Sequence, residues 1–243
     1  MAESPNPDFE AAESNVVVPR PYTEIPLRGA RKTIAVRMHS SLQEMAQVTL
    51  HSLTDVTPLV ELKERLGDGL ISYNDLFVKA VAFTLRRHPA LNATMAKDVI
   101  QVWQEINVGV AVAFKDGLAV PVLRNADQRP ISDLAAEIRR LADAARSGQL
   151  SITDVMDGTF TVTNLGAYPV DGFTPVINPP QVGILGIGRI AEQPAVVDGR
   201  IVPRHLCALS LTFDHRAVDG VPAAAFLADL EEFLQTPEKL IQE

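Results

Sequence analysis

One histidine in this sequence follows directly on an apolar run, where an imidazole is well placed to exchange protons with a ligand. Residues 206–213 are apolar enough to form a strand, and a polar turn that contains His215 comes next. An imidazole has an ordinary pKa of about 6.5, so His215 is a candidate general base. Asp219 lies four residues later, before Gly220, which permits a tight turn. In a purely structural alternative, Asp219 caps the next helix and His215 bonds a backbone carbonyl.

Three further stretches combine a strand with polar side chains. Residues 158–166 read Gly-Thr-Phe-Thr-Val-Thr-Asn-Leu-Gly, with hydroxyl groups at alternate positions. Residues 172–181 form a proline-containing loop before an apolar strand, and residues 121–127 end a strand with Arg-Asn-Ala-Asp. Threonines are also ordinary strand formers on a solvent-facing side, so the residues alone leave a structural interpretation open.

The composition is typical of a folded domain. The 243 residues are 47% hydrophobic and 21% charged, and the net charge of −8 does not favour nucleic-acid binding. The single cysteine, Cys207, excludes an internal disulfide, and its place in an apolar strand favours a core role over a nucleophilic one. No apolar run approaches the ~18 residues that span a membrane, and no signal peptide is apparent, so we expect a cytoplasmic protein.

The pattern along the chain predicts an α+β fold, in which a mixed β-sheet carries helices on one face. Residues 1–22, rich in proline and polar residues, are predicted to be a disordered arm, and residues 23–243 one domain. Helices are predicted over 29–46, from Thr57-Pro58 to Gly67, from Ser72 to Pro89, from Pro130 to Gly148, and over 223–234. Strands are predicted over 48–56, 99–103, 107–114, 118–123, 160–164, 181–190, 195–197 and 206–213, with a hairpin turn at 115–117.

Together these stretches resemble the catalytic core of the dihydrolipoyl acyltransferases of 2-oxo acid dehydrogenase complexes. The Asp-His-Arg-x-x-Asp-Gly motif of that family is matched at residues 214–220, and its Phe-Thr-[apolar]-[Ser/Thr]-Asn-Leu-Gly strand at 160–166. Its Asn-Pro-Pro-Gln and Arg-Asn-Ala-Asp segments are matched at 178–181 and 124–127. Its opening Ile-Pro-Leu-x-Gly-x-Arg-Lys-x-Ile-Ala-x-Arg-Met is matched at 25–38. Five motifs in order make this resemblance specific.

The resemblance implies a fold similar to chloramphenicol acetyltransferase, assembled as a homotrimer with active sites between neighbouring subunits. It implies transfer of an acyl group between a dihydrolipoyl thiol and coenzyme A, with the lipoyl group carried by a partner protein or domain. By this likeness His215 is the general base, and Thr163 stands where the family has an oxyanion-binding serine. Asp219 is expected to brace the turn through an ion pair with Arg31 or Arg37.

Three more residues are expected near the substrates. Phe173 is placed where it could line the channel for the acyl group. Arg124 and Asn125 are candidates for binding coenzyme A, because the nucleotide end of that molecule is anionic and favours a basic side chain. A structural role for Arg124 is an equal alternative. The sequence suggests no metal ligands.

Two features depart from a standard member of that family. The sequence contains no lipoyl-type Asp-Lys-Ala turn, so the chain is expected to be an excised core or a stand-alone protein that is acylated by a carrier in trans. Dehydrogenase subunits and a lipoyl carrier are the expected partners. Leu240 and Ile241 could dock neighbouring trimers into a cage, but Gln242 and Glu243 follow, and an unpaired carboxylate is costly to bury. We therefore expect a trimer and leave a larger cage open.

Two rival functions remain. Related acetyltransferases that act on hydroxyl acceptors usually carry His-His-x-x-x-Asp-Gly, and Asp214 replaces the first histidine here. The non-enzymatic alternative is a catalytically weak trimeric scaffold that organises a multienzyme complex. The presence of His215, Asp219 and the Thr163 hydroxyl argues against that scaffold.

Overall fold

The described part of the chain forms a mixed β-sheet with helices packed against it, in a computed structural model that covers residues 22–67, 69, 71–114 and 117–241. The helices are α1 (Gly29–Glu44), α2 (Thr57–Leu66), α3 (Tyr73–Arg87), α4 (Ile131–Ser147) and α5 (Gly220–Gln235). The strands are β1 (Gln47–Asp55), β2 (Ala93–Ala96), β3 (Val99–Val102), β4 (Val108–Val110), β5 (Val112–Phe114), β6 (Gly117–Ala119), β7 (Val122–Leu123), β8 (Phe160–Asn164), β9 (Gly183–Val197) and β10 (Arg200–Asp214). Of the predicted arm, only Tyr22 is among the described residues.

The main sheet has six strands in the order β1-β10-β9-β8-β4-β7. β8 is parallel to both β4 and β9, whereas the other neighbouring pairs are antiparallel. Two small sheets, β2-β3 and β5-β6, flank it. This arrangement confirms the predicted α+β fold with a mixed sheet. Lys115 and Asp116 of the predicted hairpin turn lie outside the described residues, but the strands on either side of them pair antiparallel.

The two faces of the sheet differ in character, because side chains alternate between faces along each strand. On one face, Phe160 of β8 packs against Phe226 of α5, with ring centroids 5.8 Å apart. Val162 on the same strand is fully buried, as are its cross-strand neighbours Leu185 on β9 and Leu211 on β10. The opposite face therefore receives the hydroxyls of Thr161 and Thr163. We call it the polar face of the sheet.

Helix ends lie where the local signals place them. Ser72 and Asp75 form the predicted capping box of α3, in which each side chain bonds the backbone N–H of the other. α2 begins with proline in its first turn and ends before Gly67. α4 ends at Gly148, whose φ of 70° is the left-handed conformation that glycine adopts without strain.

Several strand predictions were wrong. The predicted strand 118–123 is divided between β6 and β7, which belong to different sheets, and β10 begins at Arg200 and not at residue 206. Residues 181–190 and 195–197 were predicted as two strands, but residues 183–197 form one strand, β9. This strand pairs with β10 along its length, so polar residues such as Glu192 also belong to it. β2 was missed. The predicted strand 107–114 is divided, because the N–H of Val110 bonds the carbonyl of Pro121 while that of Ala111 bonds Val162. In each case pairing with another strand overrides the pattern within the segment itself.

The C-terminal residues that were considered for docking pack on their own chain. Leu240 is fully buried in the core, and Ile241 packs against the same cluster. The segment is also fixed by ion pairs from Arg65 to Glu238 and from Lys239 to Glu232. Leu240 is therefore not free to dock a neighbouring trimer in this structure. Gln242 and Glu243 lie outside the described residues.

Cys207 is buried in β10 and is predicted to be unreactive in the native protein. Burial raises the pKa of its thiol to about 12, so almost no thiolate is present at pH 8. We expect a thiol reagent such as dithionitrobenzoate to label Cys207 only at the rate of unfolding, and readily in denaturant. Rapid labelling of the folded protein would contradict this core assignment.

Candidate active site

The histidine turn begins where β10 ends. The backbone N–H of His215 donates to the carbonyl of Ala46 at 2.9 Å, which ties the turn to the residue before β1. The imidazole is 45% exposed, and its ring lies 5.7 Å from that of Phe213. A fixed backbone with an accessible ring is the arrangement that a general base requires.

Asp219 lies beside this imidazole and does not cap the helix that follows it. Its Oδ1 is 3.6 Å from Nδ1 of His215, and α5 begins without a hydrogen bond from the Asp219 side chain. The helix-cap alternative is therefore wrong. The distance exceeds a hydrogen bond, so the carboxylate acts as a nearby negative charge. Such a charge favours a proton on Nδ1, which leaves Nε2 free to accept one.

The expected ion pair between Asp219 and Arg31 or Arg37 is not formed among the residues that the structure describes. Arg37 instead donates from Nη2 to the side chain of Asn178 at 3.2 Å and to the carbonyl of Pro179 at 2.7 Å. These bonds fasten α1 to the Asn-Pro-Pro-Gln segment. Among the described residues, the imidazole of His215 is the one charged group that Asp219 contacts.

Thr163 lies on the polar face, in a row of paired residues that crosses four strands. Its partner on β9 is Gly186, which pairs with Ser210 on β10. Ser210 pairs in turn with His51 on β1, and its hydroxyl lies 2.9 Å from Nδ1 of that histidine. Thr163 is partly exposed and makes no side-chain hydrogen bond within the described chain, so its hydroxyl is available to a ligand.

Residues 166–181 run across the polar face from β9 to β1, and we call them the crossing segment. At Gly188 the backbone approaches so closely that a Cβ would lie 1.8 Å from the carbonyl oxygen of Asp171. At the far end, the N–H of Ile177 donates to the side chain of Gln47 at 3.2 Å. Glycine is required at position 188 because no side chain fits beneath this crossing.

Phe173 belongs to the crossing segment, and its ring covers Gly186, the residue that pairs with Thr163 on β9. A Cβ at Gly186 would lie 3.0 Å from the tip of the Phe173 ring, so the ring rests on that glycine. Because Gly186 is the cross-strand partner of Thr163, the ring and the hydroxyl are neighbours on one face. The structure therefore places the Phe173 ring on the same face as Thr163, and its lining of an acyl channel stays a prediction.

A single chain does not bring His215 and Thr163 together. Thr163 is level with Gly186 on β9, whereas Phe213 is level with Gly183, and His215 lies two residues further on. With ~3.3 Å per residue and ~4.8 Å between strands, the two Cα atoms are about 19 Å apart. A site that uses both side chains must therefore combine two copies of the chain.

Arg124 and Asn125 hold a turn at the other end of β8. The guanidinium of Arg124 donates to the carbonyl of Thr153 at 3.2 Å and to the carboxylate of Asp157 at 3.0 Å. Asn125 has a φ of 49°, and its N–H donates to Asn107 at 2.9 Å. The structure thus gives Arg124 the structural role that the sequence had left open, and it does not bring these residues to Thr163.

The sequence analysis missed a cavity of about 750 Å³ at the carboxyl end of β8. Its polar lining comes from three elements: Ser72 and Asn74 at the start of α3, Arg146 at the end of α4, and Asn164 and Tyr168 after Thr163. Asn164 links two of these elements by donating to Asn74 at 3.4 Å. The motif at residues 160–166, which contains Asn164, was the signal available in the sequence. Asn74 and Arg146, which lie on helices, are distant from that motif in sequence.

Two features are absent from the described ranges. No helix there has the length and apolar character to cross a bilayer. In the same residues, no group of three or more His, Cys, Asp or Glu side chains could hold a metal ion.

The family of this chain follows from its match to a known family model. The model for 2-oxoacid dehydrogenases acyltransferase (catalytic domain) matches residues 19–242. The chain belongs to this family. The resemblance inferred from five short motifs is thereby confirmed.

Two curated members of related function are among the similar proteins. The chain is 40% identical to the dihydrolipoyllysine-residue acetyltransferase component of the acetoin cleaving system of Bacillus subtilis (strain 168), over 90% of this chain and 56% of that protein. It is 39% identical to the dihydrolipoyllysine-residue succinyltransferase component of the 2-oxoglutarate dehydrogenase complex of Bartonella vinsonii subsp. berkhoffii, over 87% of this chain and 53% of that protein. This member of the family thus spans about half the length of these relatives.

Solved structures share the fold. The dihydrolipoamide acetyltransferase of Azotobacter vinelandii superposes with a TM-score of 0.85 at 31% identity, over 99% of this chain and 100% of that one. That structure belongs to an investigation of a serine, a histidine and an asparagine in the catalytic mechanism of the Azotobacter enzyme. A chloramphenicol acetyltransferase matches with a TM-score of 0.55 at 15% identity, over 82% of this chain and 94% of that one, which confirms the predicted fold alone.

Proposed function

We propose that this acyltransferase domain moves an acyl group between the thiol of a dihydrolipoyl arm and the thiol of coenzyme A. One observation carries the proposal. Thr163, His215 and Asp219 have the same spacing along this chain as the serine, histidine and asparagine studied in the Azotobacter enzyme. The accessible imidazole and hydroxyl supply the chemical groups that such a transfer needs.

His215 acts as the general base and then as the general acid. A thiol is a poor nucleophile, so Nε2 of His215 takes the proton of the attacking thiol as its sulfur bonds to the thioester carbon. When the intermediate collapses, the bond from that carbon to the departing sulfur breaks, and His215 returns the proton to it. Asp219, 3.6 Å from Nδ1, stabilises the imidazolium that exists between these steps.

Thr163 stabilises the negative charge that develops on the thioester oxygen. Its hydroxyl is a single donor, and it belongs to a β-strand that fixes the backbone. Threonine replaces the serine of the Azotobacter enzyme, and its β-methyl group restricts rotation about χ1. The donor is therefore retained with less conformational freedom.

The reacting groups come from two protomers of a homotrimer. The separation of about 19 Å within one chain, obtained from strand spacings, excludes a site built by one copy. In a cyclic trimer each interface presents His215 of one protomer to Thr163 of the next, which gives three equivalent sites. Larger cages are not required by this arrangement.

Coenzyme A is the proposed occupant of the cavity at the carboxyl end of β8. Arg146 supplies a positive charge for the anionic end of that molecule, and Asn74 and Asn164 supply amide groups. This location replaces Arg124 and Asn125 as the proposed contacts. The lipoyl group arrives on a partner protein or domain, and 2-oxo acid dehydrogenase subunits are the proposed source of its acyl group.

Substitution of Phe173 by alanine is expected to broaden acyl selectivity. Removal of the ring from Gly186 opens space beside Thr163 for a branched acyl group. We expect the rate with isobutyryl-coenzyme A, relative to acetyl-coenzyme A, to rise about 10-fold or more, because one or two methylene groups discriminate by that order. Initial rates with both donors measure this ratio. An unchanged ratio would place the acyl group elsewhere.

One assay tests the function. Acetyl-, isobutyryl- and succinyl-coenzyme A are each supplied with dihydrolipoamide, and thioester formation is followed for the wild-type protein and His215→Ala. Turnover that depends on His215 supports the proposal. Turnover only with a hydroxyl acceptor in place of dihydrolipoamide, or no turnover with any donor, would contradict it, and the latter result favours the scaffold.

A further inference from the structure

The carboxylate of Asp214, the residue before His215, is fully buried at the end of β10. A buried charge requires compensation, and in the described part of the chain two neighbours supply it. Oδ1 accepts the N–H of Ala46 at 3.3 Å and the N–H of Arg216 at 3.1 Å. Nε and Nη2 of Arg216 donate to Oδ1 at 3.0 Å and to Oδ2 at 2.6 Å. Both oxygens are engaged, so this carboxylate has no capacity left for a substrate.

These bonds close a ring around the backbone of His215. Ala46 donates its N–H to Asp214 and accepts the N–H of His215 on its carbonyl. The backbone of Asp214 bonds Val182 on one side and accepts the N–H groups of Ala217 and Val218 on the other. The residues before and after His215 are therefore held by one carboxylate and its backbone.

The ion pair between Asp214 and Arg216 is maintained near neutral pH. Burial by itself raises the pKa of Asp214, but the hydrogen bonds from Arg216 and Ala46 outweigh it, and the net shift is downward. Glu44 is the other charged group near Arg216. Asp214 thus stays ionised near neutrality and keeps the guanidinium in place.

We propose that Asp214 is a positioning residue for acyl transfer, which sets the location of the His215 imidazole through its bonds to Ala46 and Arg216. The inference rests on the proposed function of His215 as the base. Nothing in the sequence assigned a role to Asp214 beyond its difference from the hydroxyl-acceptor enzymes. Asp214 is not a catalytic residue, because both oxygens of its buried carboxylate bond the turn and neither is left for a substrate.

The test uses Asp214→Asn in the full chain. Asparagine has nearly the same shape, but its NH₂ group would face the donors of Arg216 and break that contact. We expect kcat to fall about 10²-fold, the order produced by a displacement of about 1 Å, with KM for both substrates unchanged. The double variant Asp214→Asn/Arg216→Gln restores a neutral amide pair and is expected to recover part of kcat. Glu238→Gln, which breaks the remote Arg65–Glu238 ion pair, is the matched control and should keep wild-type kcat.

A second readout does not depend on turnover. In ¹⁵N-histidine-labelled protein, the His215 ring signals, assigned by their loss in His215→Gln, should shift in Asp214→Asn while those of His39 and His88 stay in place. Unchanged His215 signals, or an unchanged kcat, would overturn the positioning role. A wild-type protein without transfer activity would instead refute the proposed function, and the ring signals would still decide whether Asp214 positions His215. Movement of all histidine signals together would show general misfolding and overturn the specific role.

Discussion

Replacement of His215 by alanine is expected to lower kcat for acyl transfer by about 10²–10⁴-fold, the contribution of a positioned general base. The fold should survive, because the imidazole is 45% exposed and its backbone N–H, which bonds Ala46, is retained. KM for coenzyme A should change little. Steady-state rates and the thermal unfolding midpoint of the same preparation measure both parts of this expectation.

A mixing experiment tests whether His215 and Thr163 of different protomers form one site. The His215→Ala and Thr163→Val trimers are each expected to retain about 1% or less of wild-type activity. Co-expressed chains form interfaces in which an intact His215 meets an intact Thr163. With random assembly of equal amounts, about a quarter of the sites are complete, so about a quarter of wild-type activity returns. Mixing the two purified trimers without exchange of subunits is the control and should restore nothing. Failure of the co-expressed chains to regain activity would refute a site shared between protomers.

Substitution of Thr163 separates its hydroxyl from its shape. Thr163→Val keeps the β-branched form and removes the donor, so we expect kcat to fall about 10²–10³-fold, as for the loss of one oxyanion donor. Thr163→Ser keeps the donor and should stay within about 10-fold of wild type, since only the restriction of χ1 is lost. Stopped-time assays with saturating substrates give both kcat values.

Thr161 offers a matched control for that series. It lies on the same strand and face as Thr163, but its hydroxyl is used internally, donating to Gln181 at 2.6 Å. Thr161→Val should reduce stability, because a buried acceptor loses its donor, while kcat per folded protomer stays near wild type. Equal losses of kcat in Thr161→Val and Thr163→Val would indicate damage to the sheet and contradict the oxyanion role.

The motifs of this chain could be read from sequence because their chemistry is local. An apolar strand followed by a polar turn with His215, Asp219 and Gly220 marks the histidine turn, and the alternating threonines place Thr161 and Thr163 on the same face of their strand. Helix ends could also be predicted from the sequence, because proline in a first turn, a capping box and a terminating glycine act within a few residues. These features determined the α+β class and marked His215 as a candidate base, whereas Thr163 became the second catalytic candidate through the resemblance to the acyltransferase family.

Tertiary structure decided everything that depends on distant pairing. β9 continues through polar residues because β10 pairs with it, and Asp219 faces His215 although capping and arginine pairing were equally compatible with its position. Asn74, Arg146 and Asn164 meet in one cavity only because α3 and α4 converge at the end of β8. Sequence spacing also gave no hint that His215 and Thr163 lie on opposite sides of β9 and at different levels, since strand order and register are set by long-range hydrogen bonds.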